Sequence, residues 1–164
     1  MNEFELIQGY FNWPIKDPSI AIGIGDDAAL FGLEDGQQLV TTTDTLSEGV
    51  HFFKGALPSD IAYKSLAVNL SDIAAMGASA KYFTLALTLP KIDHDWIEEF
   101  SKSLKRLSEY HKVSLIGGDT TKGPLNITIT MIGVVETSRA LLRSAAGTGD
   151  GVYVSGTIGD AALC

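Results

Sequence analysis

The chain has 164 residues, 45% of them hydrophobic, which suits one domain with a sizeable core and excludes wholesale disorder. Lys and Arg number 12 against 20 Asp and Glu, a net charge of −8, which argues against a nucleic-acid backbone or an anionic membrane as the main partner. The single cysteine, Cys164, excludes an intrachain disulfide framework and a cysteine-based zinc site. The N-terminal MNEFELIQGYF carries Glu3 and Glu5 and lacks the basic and apolar runs of a signal peptide. No stretch approaches the ~20 apolar residues of a membrane helix. These features read as a reduced, soluble, cytoplasmic protein.

In chain order, residues 1–18 form a short amphipathic segment, with Phe4, Leu6, Ile7, Tyr10 and Phe11 at near-helical spacing. Ile20 to Gly25 reads as a strand running into Asp26-Asp27. Leu39 to Thr43 is a second strand ending at Asp44. Pro58-Ser59-Asp60 opens a helix carrying Ile61, Leu66, Leu70 and Ile73, with Gly77 as its stop. Tyr82 to Leu89 is a strand. Asp93 to His111 is an amphipathic helix with Trp96, Ile97, Phe100, Leu104 and Leu107 on one stripe. Val113 to Ile116 is a short strand that breaks at Gly117-Gly118-Asp119. Asn126 to Val135 and Gly151 to Ser155 are further strands. Without a strict βαβ repeat, the pattern predicts an α+β domain with a mixed, mostly antiparallel sheet flanked by helices. Gly156 to Asp160 looks like a loop leading into a helix, with the chain ending four residues later, as in the N-terminal part of a longer protein.

Asp26-Asp27, Asp44 and Asp119 each follow a predicted strand, and Asp72 lies on a helix among mostly apolar or small neighbours, Val68, Asn69, Ala75 and Met76. Taken singly, a strand-end aspartate is a turn or cap residue more often than a ligand. Gathered without matching cations, such carboxylates would repel one another, and a hard divalent cation resolves that. Mg²⁺ takes oxygen ligands, one or two carboxylates plus water and substrate phosphates. Thr42 and Thr43 can add oxygens, and the glycines let backbone N–H groups approach a phosphate. Arg143 reads either as a surface arginine or as a phosphate clamp, and His51 either as a partly buried loop histidine or as a ligand contact. No Walker A pattern, dinucleotide fingerprint or Gly-x-Ser-x-Gly elbow is present.

Four segments occur in order: Gly23 to Ala29, Thr42 to Phe52, Ala67 to Ala78, and Gly117 to Thr121. Together they resemble the thiamine-monophosphate kinase family, from Phe4 to Gly159. Its superfamily also includes aminoimidazole ribonucleotide synthetase, selenophosphate synthetase and a hydrogenase-maturation factor. The resemblance implies ATP-dependent phosphorylation of thiamine monophosphate to thiamine diphosphate, with several Mg²⁺ ions and a homodimer whose N-terminal sheets join into a shared barrel. It carries metal-ligand roles onto Asp27, Thr42, Thr43, Asp44, Asp72 and Asp119, nucleotide contacts onto Gly118, Asp119 and Arg143, and a substrate contact onto His51. Asp26 fits the same motif. Transfer is expected to be metal-assisted through Asp72 and Asp119, without a general base. Residues 1–150 are expected to form the ATP-, metal-binding and dimerisation domain, and 151–164 to begin a second domain. The alternatives are another ATP-dependent synthetase or kinase of this superfamily, or an inactive nucleotide-binding or dimerisation module.

Overall fold

Asn2 starts the first helix by a reciprocal cap. Its side chain accepts from the Glu5 N–H, and the Glu5 carboxylate accepts from the Asn2 N–H, both at 2.9 Å. The computed structural model describes residues 2–154 and 156–158. Its elements are α1 (Glu3–Tyr10), β1 (Ile20–Ile22), β2 (Leu30–Phe31), β3 (Gln37–Ser47), α2 (Pro58–Ala75), β4 (Ser79–Leu89), α3 (His94–His111), β5 (Ser114–Lys122) and β6 (Asn126–Glu136), then a 3₁₀ turn at Arg143–Ala145. Among the described residues no helix is long and apolar enough to cross a membrane.

The main sheet has the order β3-β6-β4-β5. β6 pairs antiparallel with both β3 and β4, and β4 pairs parallel with β5, so the sheet is mixed and mostly antiparallel, as the sequence predicts. Period-two alternation along β6 divides its faces: Ile127, Ile129 and Met131 are fully buried, while Thr128 and Thr130 are not. The buried face receives Ile61, Leu66 and Ile73 of α2 and Ile97, Phe100 and Leu104 of α3, with Leu6 of α1 and Phe11 closing the same core. Each such side chain contributes about 1.5–3 kcal/mol of burial. The helices therefore stack on one face only. The other face, called open below, is a threonine ladder, with Thr43 bonded to Thr130 at 2.9 Å and Thr45 to Thr128 at 2.8 Å.

Several expected boundaries move. β3 does not end at Asp44 but continues to Ser47, because Leu46 is a core residue (5% exposed) opposite Ile127 and holds the strand in register. Gly117-Gly118 does not break β5. The strand passes through both glycines to Lys122, with Leu85 opposite Gly118 and Ala86 opposite Asp119. The register slips by one residue at Ile116. A Cβ on Gly118 would sit 1.9 Å from the Leu85 carbonyl oxygen, so the bare backbone lets β5 close onto β4. Residues 151–154 form no strand; Val152 and Tyr153 are more than nine-tenths exposed, and no described strand pairs with them. Ser155, the Gly159-Asp160 part of the expected loop, and Cys164 lie outside the described residues. The two-residue β2 carries too little pattern to be read from the sequence.

Gly118→Ala is expected to cost about 1–3 kcal/mol of stability in urea unfolding, the range for overpacking a tight site. Gly117→Ala, whose Cβ would meet only the Thr84 methyl at 4.0 Å, should change it far less.

Candidate active site

α2 packs against β3, and its last full turn carries Asp72. Thr42 and Asp44 share the helix-side face of β3 with Leu46, two residues apart each time. Thr42 Oγ1 donates to Asp72 Oδ2 at 2.8 Å, tying strand to helix at the carboxylate. One turn before Asp72, Asn69 is fully buried; its Nδ2 donates to the Ser65 carbonyl at 3.0 Å, and its Oδ1 has no partner among the described residues. In the sequence Asn69 is only a neighbour of Asp72 with no role of its own, and nothing but its place on the buried side of α2 distinguishes it. Thr43 projects to the open face, where Thr130 holds its hydroxyl.

Asp119 belongs to the open face as well. It lies opposite Ala86, which lies opposite Thr128, which lies opposite Thr45. Three strand spacings separate β3 from β5, roughly 14 Å. Asp44 and Asp119 thus sit at opposite edges and on opposite faces of the sheet. Asp26 and Asp27 lie in the connection between β1 and β2, exposed, with the Asp27 N–H donating to Asp26 Oδ1 at 2.8 Å. That hairpin rests on the open face, where Phe31 packs on Tyr82. The predicted ligands therefore fall into two groups within one chain: Thr42, Asp44 and Asp72 at the α2–β3 edge, and Asp119 with the hairpin's Asp27 on the open side. Among the described residues no three acidic, histidine or cysteine side chains gather closely enough to hold one metal ion.

His51 is exposed, in the loop after β3, not partly buried. The Ser47 N–H donates to His51 Nδ1 at 3.1 Å, and Lys64 Nζ donates to the His51 carbonyl at 2.6 Å. With Nδ1 accepting, the neutral ring carries its proton on Nε2, the nitrogen left for a ligand. Arg143 is exposed in the 3₁₀ turn. Two residues before it, the Leu141 N–H donates to the Met76 carbonyl at 2.9 Å, and the Leu141 side chain covers Gly77. This strap fastens the chain just ahead of Arg143 to the C-terminal end of α2. The Ser19 hydroxyl and N–H bonded to Asp17 hold its carboxyl below the usual carboxylate range, as the Trp96 N–H and Lys91 do for Asp93 and Lys102 does for Glu98.

The family described as AIR synthase related protein, N-terminal domain, matches residues 25–135, the stretch that runs from the hairpin connection through β6. The chain belongs to that family. This AIR synthase related domain is 51% identical to the thiamine-monophosphate kinase of Haemophilus influenzae over 163 residues, covering 99% of the chain and 50% of the relative. It is also similar to the crystal structure of thiamine-monophosphate kinase from Stenotrophomonas maltophilia K279a (TM-score 0.73, 50% identity), which covers 77% of this chain and 40% of that one. A structure described as AaThiL complexed with AMPPCP and TMP matches with a TM-score of 0.60 at 34% identity, covering 69% of this chain and 37% of that one. The AIR synthase related domain thus spans about half the length of the relatives it matches.

Proposed function

We propose that this domain supplies the ATP- and metal-binding side of a thiamine-monophosphate kinase, in which ATP phosphorylates thiamine monophosphate to thiamine diphosphate. The observation that carries the reading is identity at about half of all positions, over 99% of the chain, to a relative of that name. The alternative acceptors of the wider superfamily have weaker support: a solved hydrogenase maturation protein HypE in complex with ATP matches at 25% identity. On this reading residues 1–150 are the nucleotide-, metal-binding and dimerising unit, and 151–164 open a second domain.

In the proposed reaction an oxygen of the thiamine monophosphate phosphate forms a bond to the γ-phosphorus of ATP as the bond to the bridging oxygen breaks and ADP leaves. The acceptor phosphate is largely ionised near neutral pH, its second pKa being ~6, so no general base is required. His51 Nε2–H holds the acceptor phosphate. The Gly118 backbone, Asp119 and Arg143 hold the nucleotide, the guanidinium gripping phosphate oxygens as a fork. The donor chemistry at the α2–β3 edge fits Mg²⁺, since Thr42, Asp44 and Asp72 offer only hard oxygens and a pair of carboxylates suffices for an ion that keeps waters and phosphates. Asp27, Thr43 and Asp119 would supply the remaining protein oxygens. Bound Mg²⁺ supplies charge neutralisation between two anionic reactants.

The division of the ligands into two groups gives the dimer its role in this proposal. A second copy, meeting the first through the open face that exposes Leu39 and the threonine ladder, brings one chain's α2–β3 edge toward the other's Asp119 and hairpin.

Asp72→Asn is expected to lower ADP formation from ATP and thiamine monophosphate by about 10²-fold or more, as for loss of one preorganised charge, with little change in melting temperature. Wild-type turnover in that variant would remove Asp72 from the mechanism. Mixing Asp72→Asn with Asp119→Asn should restore about a quarter of the wild-type rate if sites are shared across a two-fold dimer, and nothing if each chain builds its own. His51→Ala should raise KM for thiamine monophosphate more than KM for ATP; equal losses would count against a contact with the acceptor.

A further inference from the structure

Tyr82 lies on the open face of the sheet, opposite Ile132 on β6, yet it is only 4% exposed, whereas Ala86 on the same face of β4 is exposed. The β1–β2 hairpin covers it. The Phe31 ring packs against the Tyr82 ring with centroids 4.6 Å apart. The Tyr82 hydroxyl lies 2.5 Å from Ser19 Oγ, just before β1. Ser19 Oγ donates in turn to Asp17 Oδ1 at 2.6 Å, and the Ser19 N–H donates to the same oxygen at 2.9 Å. A serine hydroxyl has one proton. With that proton given to the carboxylate, the Tyr82 O–H must be the donor to Ser19, so the three groups form one directed chain ending on a negative charge. Bonds to ionised acceptors are the stronger kind, and members of such a chain polarise one another.

The hairpin has few other means of staying in place. Its strands are three and two residues long, and their register is irregular. A two-stranded hairpin of this size is marginal alone in water. Ile24 at the margin of the core, the Gly32 N–H to Ser19 carbonyl bond and the Phe31–Tyr82 contact are its further supports. The connection between the two strands carries Asp26 and Asp27.

We propose that Tyr82 is a positioning residue: through Phe31 and Ser19 it pins the β1–β2 hairpin to the sheet and so fixes where Asp27 meets a metal-bound nucleotide. The second half of this statement rests on the function proposed above; the first half does not. Tyr82 has no part in the chemistry and acts only by holding the hairpin.

Two variants separate the pin from the fold. Tyr82→Phe keeps the ring on Phe31 and removes the hydroxyl; Ser19→Ala removes the relay from the hairpin's side and leaves the core untouched. In metal-free buffer, amide exchange at residues 19–32 should accelerate about three- to tenfold in Tyr82→Phe, the effect of one lost hydrogen bond, and at least as much in Ser19→Ala, which loses the bonds to both Tyr82 and Asp17, while exchange in β4 and β6 stays within about twofold. Unchanged hairpin exchange in both variants, or equal acceleration throughout the sheet, would overturn the pin. In the presence of AMPPCP, Mg²⁺ titrated by calorimetry should show a half-saturating concentration several-fold higher in both variants than in the wild type. Faster hairpin exchange with an unaltered Mg²⁺ titration would overturn the positioning of Asp27 and leave the pin standing. A wild-type protein that takes up no Mg²⁺ with AMPPCP would overturn both the positioning of Asp27 and the metal reading of the proposed function, again without touching the exchange result.

Discussion

Antiparallel pairing of β6 with a strand on either side is the constraint on which the rest of the molecule depends. It fixes Ile127 opposite both Leu46 and Leu87 and, two residues on, Ile129 opposite both Asp44 and Leu85. Once that register is set, period-two alternation leaves no freedom about which side chains meet the helices. Asp44 is delivered to the helix side because Leu46, two positions away, must be buried there. Asp119 is delivered to the open side because its β4 neighbour, Ala86, is out of phase with Leu85 and Leu87. The positions of the acidic groups are thus a by-product of core packing in the sheet.

The parts of the fold that were legible in the sequence are those in which one residue pattern decides the matter. The stripe from Trp96 to Leu107 marks α3, and Asp93 caps it by accepting from the Trp96 N–H. Pro58 at the start of α2 and the positive φ of 67° at Gly77 behave as local chemistry predicts. The parts misread are those in which a partner strand overrides a local signal. An aspartate after three threonines looks like a strand end until Ile129 is placed beside it, and a glycine pair looks like a break until Leu85 is seen to need the space. The acidic residues were recognisable individually, but their grouping was not, because a grouping depends on faces and edges that no single segment encodes. Tyr82 was invisible for the same reason, since it sits in an ordinary-looking strand and gains its role only from contact with Ser19, 63 positions earlier.

The electrostatics follow from this arrangement. In a chain of net charge −8, collecting four aspartates in one pocket of one subunit would concentrate repulsion in the folded state. Here the α2–β3 edge and the open side are kept apart by the width and thickness of the sheet. At the edge, Asp72 accepts from the Thr42 hydroxyl, and no ion pair with a cationic side chain holds it among the described residues.

The threonine ladder has a consequence for the surface it forms. Because one hydroxyl donates to the other in each pair, Thr43 with Thr130 and Thr45 with Thr128, and Thr128 donates on to Asn126 Oδ1 at 3.4 Å, the ladder meets part of its own hydrogen-bonding need across the strands. Such a surface is content in water and loses less when water is stripped from it than unpaired hydroxyls would, with the second proton of the Thr43–Thr130 pair still to be given an acceptor. A sheet dressed in valine at those positions would be greasy when bare, and one dressed in serine or asparagine would resist being covered. Paired threonines make this side of the molecule tolerant of solvent while lowering what contact would cost.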